Sequence, residues 1–138
     1  MSYSTLTVTI TDKIAHVVLN RPAEMNTMNA AFWRELPQAI RSIDEQAAAR
    51  VIVISSTGKH FTAGMDLGVF TNPNNISMQG DPARAGENLR RLVLQLQDAF
   101  NVLETVRMPV LVAIQGGCIG GGVDMISAAD CRYCTADA

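Results

Sequence analysis

The segment VLVAIQGGCIGGGVD, residues 110–124, contains the most informative pattern of this chain. Its first third is continuously apolar, which is typical of a strand buried on both faces, and residues 123–129 continue as an apolar helix. Five of the chain's ten glycines lie between the two. Glycine allows a ligand to approach the backbone closely, and the N–H groups that open a helix lie at the positive end of its dipole. The segment therefore predicts a backbone pocket for negative charge.

Nucleotide phosphates are a poor match for this pocket. The dinucleotide pattern G-x-G-x-x-G fails because Gln115 stands where its first glycine is required, and no Lys-Ser or Lys-Thr follows the glycines as in a phosphate loop. An oxyanion pocket made of backbone donors remains. A second turn of the same kind, residues 63–66 (AGMD), follows another buried strand, residues 51–55. An ordinary strand-to-helix turn is the alternative for it.

Asp124 is the candidate acid–base residue. It lies two positions after the last glycine in an apolar run, where a charged carboxylate is costly and proton transfer is favoured. The alternative is a first-turn Asp that interacts with the helix dipole, and the residues alone leave both open. Asp130, His16 and His60 are interpreted as structural. No cluster of metal-ligating residues is found in the sequence, so no metal is predicted.

Strands and helices alternate along the rest of the chain. Residues 6–19 form a hairpin that turns at Asp12 and Lys13, and residues 131–135 form a last strand. Helices are expected over residues 29–43, although Pro37 should disturb the first, and over 87–106, whose apolar stripe is interpreted as core. Residues 71–86 are expected to be a long, mobile loop beside the active site. The predicted fold class is α/β, a mostly parallel buried sheet with an N-terminal hairpin.

Composition limits the partners and the location of the protein. Hydrophobic residues make up 48% of the 138 residues, and eleven Lys+Arg against thirteen Asp+Glu give a net charge of −2. These values exclude a disordered chain and a broad basic face for nucleic acid or anionic lipid. No apolar run is long enough to span a membrane.

Three cysteines, an odd number, favour a reducing compartment, and Cys131 and Cys134 are expected to be buried. A soluble, cytoplasmic protein is predicted. Its apolar surplus suggests that a partner subunit or further chain covers some surface.

Three segments in order resemble the enoyl-CoA hydratase/isomerase (crotonase) superfamily: NRP at 20–22 with Asn26, GKHFTAGMDL at 58–67, and QGGCIGGGVD at 115–124. The resemblance runs from residue 6 to residue 138. It implies a crotonase-like (ClpP/crotonase) spiral of ββα units, in which residues 1–138 are the N-terminal part of a single domain about twice as long. The C-terminal helices and a second carboxylate would lie outside the chain, and the full-length protein would be a homotrimer or a dimer of trimers.

The same resemblance implies the roles of the site residues. The backbone N–H groups of Met65 and Gly121 would form an oxyanion hole for the thioester oxygen of an acyl-CoA substrate. Neighbouring residues would contact the substrate: Ala63, Gly64, Asp66, Leu67 and Gly122. No cofactor is implied, since coenzyme A is part of the substrate.

Asp124 indicates a subgroup of the superfamily other than the hydratases, because the hydratases of the family have Glu at that position. The segments GGGVD, ADCRYC at 129–134 and FWREL at 32–36 are similar to the Δ3,5-Δ2,4-dienoyl-CoA isomerases. These enzymes convert 3,5-dienoyl-CoA to 2,4-dienoyl-CoA in fatty-acid β-oxidation, and Asp124 would be the distal proton donor. The alternatives are an enoyl-CoA hydratase, another family enzyme such as an aryl-CoA dehalogenase or a hydrolase, and a truncated, non-catalytic acyl-CoA-binding module.

Overall fold

A computed structural model describes residues 2–71 and 81–138 of the chain. Its five strands form one sheet in the order β1-β2-β3-β4-β5. β1 and β2 pair antiparallel, and each later pair is parallel. The strands are β1 (Leu6–Thr11), β2 (Ile14–Leu19), β3 (Val51–Ser56), β4 (Val110–Ile114) and β5 (Cys131–Cys134). The predicted α/β class, the mostly parallel sheet and the N-terminal hairpin are confirmed. Asp12 and Lys13 both take positive φ in the hairpin turn, which matches the twist of two paired strands.

In the described residues, four helices and one 3₁₀ turn connect the strands: the 3₁₀ turn Pro22–Glu24, α1 (Phe32–Glu45), α2 (Gly68–Thr71), α3 (Pro82–Thr105) and α4 (Gly121–Ser127). Asn29 stabilises the start of α1, because its Oδ1 accepts a hydrogen bond from the Phe32 N–H at 3.0 Å. The helix continues through Pro37 to Glu45. None of the described helices is long and apolar enough to cross a membrane.

The core lies between one face of the sheet and helices α1 and α3. α1 contributes Phe32, Leu36, Ile40 and Ile43, the face that its helical spacing predicts. The central strands contribute alternate residues: Val17, Ile52, Ile54, Val110 and Val112. Burial on both faces of β3 and β4 was predicted, and it is wrong for the described residues. Val51 and Val53 are only half-buried, and Ala113 is exposed, because α1 and α3 cover one side of the sheet.

α3 begins five residues before the predicted position. Asp81 is its N-cap and accepts a hydrogen bond from the Ala83 N–H, while Pro82 occupies the first turn, where a missing N–H costs nothing. Residues 82–86 are therefore helix and not loop, and residues 72–80 of the expected loop lie outside the described residues. The expected core stripe of α3 is also wrong in part. Leu103 is buried near the end of the helix, but Leu89 is 42% exposed, and the buried residues of α3 all lie in its last third, at Ala99, Val102 and Leu103.

The two cysteines of the last strand are exposed rather than buried. Cys131 and Cys134 lie on β5, which pairs with β4 on one side only and is exposed on both faces in the described part of the chain. Both thiols are free. The prediction of a buried structural role for this pair is therefore wrong: an edge strand needs a covering element to bury its side chains, and the described residues supply none.

Candidate active site

Two glycine-containing turns lie side by side at the carboxyl ends of β3 and β4. Thr62 and Cys118 form an isolated parallel bridge. In it the Thr62 N–H donates to the Gly117 carbonyl at 3.2 Å, and the Ile119 N–H donates to the Thr62 carbonyl at 3.1 Å. Because of this bridge, the segments that follow β3 and β4 remain side by side beyond the ends of the two strands. It therefore joins the two turns at the edge of the sheet where ligands of parallel sheets bind.

Glycine is required where the turns touch. Gly64 has φ +87°, and a Cβ atom there would lie 2.6 Å from the carbonyl oxygen of Ile119. A Cβ atom on Gly122 would lie 2.4 Å from Cγ2 of Thr62, a side chain that is fully buried. Both glycines thus act through packing, because any side chain would push the two turns apart.

Met65 and Gly121 have backbone N–H groups that remain available, as do Leu67 and Gly120 in the same turns of the described structure. Three neighbouring amides are used: Gly64 donates to the Thr62 hydroxyl, Asp66 to the Met28 carbonyl and Gly122 to the Ile119 carbonyl. The N–H groups of Met65 and Gly121 find no acceptor in residues 2–71 and 81–138. Gly121 is the first residue of α4, so its N–H also lies at the positive end of the helix dipole.

A cavity of about 490 Å³ opens beside these two amides. Its walls come from α1, α3, α4 and the turn after β3, and they consist of Trp33, Met65, Leu96, Gln97, Phe100, Asn101, Glu104, Gly121, Asp124, Ser127 and Ala128. The structure thus brings Met65, Gly121 and Asp124, which are far apart in the sequence, to one cavity. Donors for an oxyanion and a carboxylate for proton transfer are the groups that enolate chemistry needs.

Asp124 is exposed on the wall of this cavity, in the first turn of α4. The burial expected from its apolar neighbours is absent, because Met125 faces the core while Val123 is itself 48% exposed. Its position fits the dipole alternative as well as it fits a role in proton transfer.

A second carboxylate lines this cavity, and the sequence does not predict it. Glu104 of α3 is also exposed, and nothing in its helical surroundings distinguishes it from a solvated surface residue.

Trp33 and Phe100 were also missed as site residues: Phe100 belongs to the apolar stripe interpreted as core, and Trp33 is noted only in the FWREL segment that carries the resemblance. Their rings are 5.1 Å apart between centroids, and the Trp33 Nε1–H donates to the Met28 carbonyl at 3.0 Å. A Cβ atom on Gly121 would lie 3.7 Å from the indole Cη2 atom and 3.9 Å from the Phe100 Cζ atom. The aromatic pair therefore borders the backbone of Gly121. The sequence offers no signal of this contact.

The other predicted substrate contacts do not line the cavity in the described structure. The Ala63 N–H donates to the Met25 carbonyl, and Gly64 and Gly122 pack inside the paired turns. The Asp66 carboxylate accepts a hydrogen bond from the Gly68 N–H at 2.9 Å, which stabilises the start of α2. Leu67 is 77% exposed and points away from the core. Substrate contact by these residues stays a prediction.

A buried asparagine holds the loops behind the site. Asn26 Oδ1 accepts from the Arg21 N–H at 2.8 Å, and its Nδ2 donates to the carbonyls of Thr57 at 2.7 Å and His60 at 3.2 Å. The Thr62 hydroxyl in turn donates to the Asn26 carbonyl at 2.7 Å. This network explains the structural role of the NRP segment and Asn26, because it joins the loop after β2 to the turn after β3.

The histidines and the remaining cysteine take structural positions. His60 Nδ1 accepts a hydrogen bond from the Gly117 N–H at 3.0 Å, and His16 Nε2 lies 2.7 Å from the Ser55 hydroxyl. Burial raises the pKa of the half-buried Cys118 thiol, which disfavours a thiolate nucleophile there. Within residues 2–71 and 81–138, no group of three His, Cys, Asp or Glu side chains is arranged to hold a metal ion.

Comparison with known proteins identifies the family. Residues 9–138 match the family described as enoyl-CoA hydratase/isomerase. The chain is 45% identical over 138 residues to the mitochondrial Δ3,5-Δ2,4-dienoyl-CoA isomerases of Mus musculus and Homo sapiens, and 40% identical over 141 residues to the peroxisomal one of Arabidopsis thaliana. The crystal structure of enoyl-CoA hydratase from Mycobacterium smegmatis superimposes with a TM-score of 0.83 at 26% identity, covering 98% of this chain and 48% of that one. The chain belongs to the enoyl-CoA hydratase/isomerase family and has the crotonase fold.

The alignments cover nearly all of this chain but only about half of each relative. They include 99% of this chain but 42% of the mouse and human proteins and 51% of the Arabidopsis protein. The chain thus spans about half the length of these relatives. That residues 1–138 form the N-terminal part of a single domain stays a prediction.

The predicted cytoplasmic location is wrong by this comparison. The relatives at 45% and 40% identity are named as mitochondrial and peroxisomal proteins. The physical reason for the error is that organelle addresses are short segments read by receptors. The composition of a folded domain, on which the prediction rested, does not contain them.

Proposed function

We propose that the full-length protein carrying this chain is an acyl-CoA isomerase that converts 3,5-dienoyl-CoA to 2,4-dienoyl-CoA. One observation carries the proposal: Met65 and Gly121, whose N–H groups have no acceptor among the described residues, and Asp124 line one cavity. The 45% identity to dienoyl-CoA isomerases over 99% of the chain supports this substrate class.

In the proposed reaction, the thioester oxygen accepts hydrogen bonds from Met65 and Gly121. A base removes a proton from the carbon beside the thioester, and the electron pair of that C–H bond forms an enolate whose charge lies on the thioester oxygen and is conjugated with the diene. Each fixed donor stabilises the resulting enolate by about 3–4 kcal/mol. Asp124, as the acid, then delivers a proton to the far carbon of the diene, and the double bonds shift by one position. No water is added and no redox cofactor is consumed.

The base is a second carboxylate in this proposal. The resemblance implies one outside residues 1–138, and Glu104 is a carboxylate on the same cavity within them. An assembly of three copies, or of two trimers, is also proposed on the resemblance alone.

The proposal is tested by replacing Asp124 with Asn in the full-length protein. The conjugated 2,4-dienoyl-CoA product is followed by its absorbance, and water incorporation is followed by mass spectrometry. Loss of a general acid lowers turnover by about 10²–10⁴-fold, which is the expected result. Asp12→Asn is the matched control, because Asn tolerates the left-handed backbone of that exposed turn.

Three results would contradict the proposal at different levels. Turnover of the Asp124→Asn variant within about threefold of the unsubstituted protein would remove Asp124 from the mechanism. A product with an added hydroxyl group would indicate a hydratase, the activity named for the structures that match at 26% identity. Binding of acyl-CoA thioesters without turnover of any enoyl or dienoyl substrate would indicate a binding module.

A further inference from the structure

The imidazole ring of His60 joins the two turns that form the candidate active site. Its Nδ1 atom accepts a hydrogen bond from the Gly117 N–H at 3.0 Å, and a Cβ atom on Gly116 would lie 3.0 Å from the same nitrogen. The ring therefore packs directly against the glycine turn after β4. The backbone of His60 is held as well, because its carbonyl accepts hydrogen bonds from Asn26 Nδ2 at 3.2 Å and from the Ser56 hydroxyl at 3.3 Å.

The bond from Gly117 to the ring differs from its neighbours because it depends on protonation. The Phe61 N–H donates to the Gln115 carbonyl at 2.8 Å, and the Thr62 N–H donates to the Gly117 carbonyl at 3.2 Å. Carbonyl oxygens accept at any pH. An imidazole Nδ1 accepts only while the ring is neutral, since both nitrogens of the protonated ring are donors. Histidine is the side chain whose charge ordinarily changes between pH 5 and 8, so acid would leave the Gly117 N–H facing a second donor.

The position of the Gly117 peptide affects both proposed oxyanion donors. Gly117 lies four residues before Gly121 in the same turn. Its carbonyl accepts from Thr62, which lies three residues before Met65. A shift of this peptide therefore moves both N–H groups that are proposed to bind the thioester oxygen.

Three other titratable groups lie on the segments around the ring: Lys59 in the same turn, the Cys118 thiol in the glycine turn, and Asp137 after β5. Burial raises the pKa of the Cys118 thiol, which keeps it uncharged. A hydrogen bond from Thr135 lowers the pKa of the Asp137 carboxyl, and the positive charges of His60 and Lys59 lower it further. The charges of Lys59 and Asp137 therefore act on the ring in opposite directions.

We propose that His60 is a positioning residue: its neutral ring holds the Gly117 peptide and thereby the oxyanion hole, and protonation of the ring lowers turnover. This inference rests on the proposed function, because it requires that the thioester oxygen binds to the N–H groups of Met65 and Gly121. It gives a role in the reaction to a histidine that the sequence indicates only as structural.

The test compares His60→Asn and His60→Leu in the full-length protein at pH 8 and pH 5. The Oδ1 atom of Asn is as many bonds from Cβ as Nδ1 of His and accepts at both pH values, whereas Leu has no acceptor. At pH 8, turnover of His60→Leu should be about tenfold lower, the factor that one hydrogen bond is worth, while His60→Asn should retain it. Between pH 8 and pH 5, the unsubstituted protein should lose about the same factor relative to His60→Asn.

His16→Gln is the matched control. His16 is the second of the two histidines, and its Nε2 lies 2.7 Å from the Ser55 hydroxyl, away from both glycine turns. Its replacement should leave the pH dependence of the unsubstituted protein unchanged.

A second measurement does not depend on turnover. Infrared spectra of a bound saturated acyl-CoA with an isotope-labelled thioester carbonyl report hydrogen bonding to that oxygen, because donors lower the stretching frequency. At pH 8, the frequency should be lower in the unsubstituted protein and in His60→Asn than in His60→Leu. At pH 5, the lowered frequency should persist in His60→Asn but not in the unsubstituted protein. If His60→Leu fails to fold, the comparison of these two proteins is sufficient.

The outcomes separate this inference from the proposed function. A carbonyl band that does not move when the acyl-CoA binds to the unsubstituted protein would overturn the oxyanion site and both proposals with it. A band that responds to His60 as expected, without turnover of 3,5-dienoyl-CoA, would support the positioning role and overturn the proposed isomerase reaction. The same pH dependence of turnover and of the band in the unsubstituted protein and in His60→Asn would overturn only the role of His60.

Discussion

Replacement of Gly64 by Ala tests whether the close approach of the two turns creates the site. The new Cβ atom would lie 2.6 Å from the Ile119 carbonyl oxygen and 3.3 Å from its carbonyl carbon. Both are backbone atoms that cannot rotate away. In addition, φ at this position is +87°, where an L side chain is strained.

Two terms set the expected magnitude. A non-glycine residue in the left-handed region costs about 1–2 kcal/mol, and overpacking against a rigid neighbour costs about 1–3 kcal/mol more. The free energy of unfolding of the Gly64→Ala variant should therefore fall by about 2–5 kcal/mol. Turnover should fall as well, because the Met65 N–H follows Gly64 directly. Loss of one oxyanion donor corresponds to about 10²–10³-fold.

The assay is urea unfolding of the full-length protein followed by circular dichroism, together with steady-state turnover. Gly86→Ala is the matched control. Gly86 lies inside α3 with no atom within 4 Å of an added Cβ, and its φ is not positive, so Ala should stabilise the protein by about 0.5–1 kcal/mol. A Gly64→Ala variant that unfolds within about 0.5 kcal/mol of the unsubstituted protein and retains full turnover would refute the packing argument.

Two further substitutions test hydrogen-bond networks outside the cavity, at Glu35 and at Asn26. Partial burial by itself raises the pKa of Glu35, but hydrogen bonds from the hydroxyl and N–H groups of Thr5 and Ser4 outweigh it and lower that pKa from 4.5 to about 2. A lowered carboxylate pKa stabilises the fold above about pH 4.5, and this contribution is lost as the pH falls toward 2. Glu35→Gln should therefore cost about 1–2 kcal/mol at pH 7, a figure reduced for the partial exposure of the side chain, and less at about pH 3. Thermal unfolding at both pH values measures it, with the exposed Glu45→Gln as control, and a pH-independent difference would contradict the linkage. Asn26→Ala leaves buried backbone partners unpaired and should cost about 2–4 kcal/mol in urea unfolding; a loss below about 1 kcal/mol would show that the loops hold without it.

Elements whose causes are local follow from the amino-acid sequence alone. Asp12 and Lys13 specify the hairpin turn, the spacing of Phe32, Leu36, Ile40 and Ile43 specifies the buried face of α1, and the glycine cluster locates the backbone donor site. Asp81-Pro82 also specifies the start of α3, although the composition around it is typical of a loop.

Features that depend on residues far apart in the chain arise only in the tertiary structure. The Thr62–Cys118 bridge places Gly64 against Ile119, and the approach of α3 to α1 makes Trp33 and Phe100 the walls of a cavity rather than ordinary core. Apolar periodicity predicts that a face is buried, but it does not identify the element that covers this face. For that reason the second face of β3 and β4, the exposed half of α3 and the exposure of Asp124 could not be predicted. Backbone preferences act within a few residues, whereas a cavity exists only where distant segments meet and leave space between them.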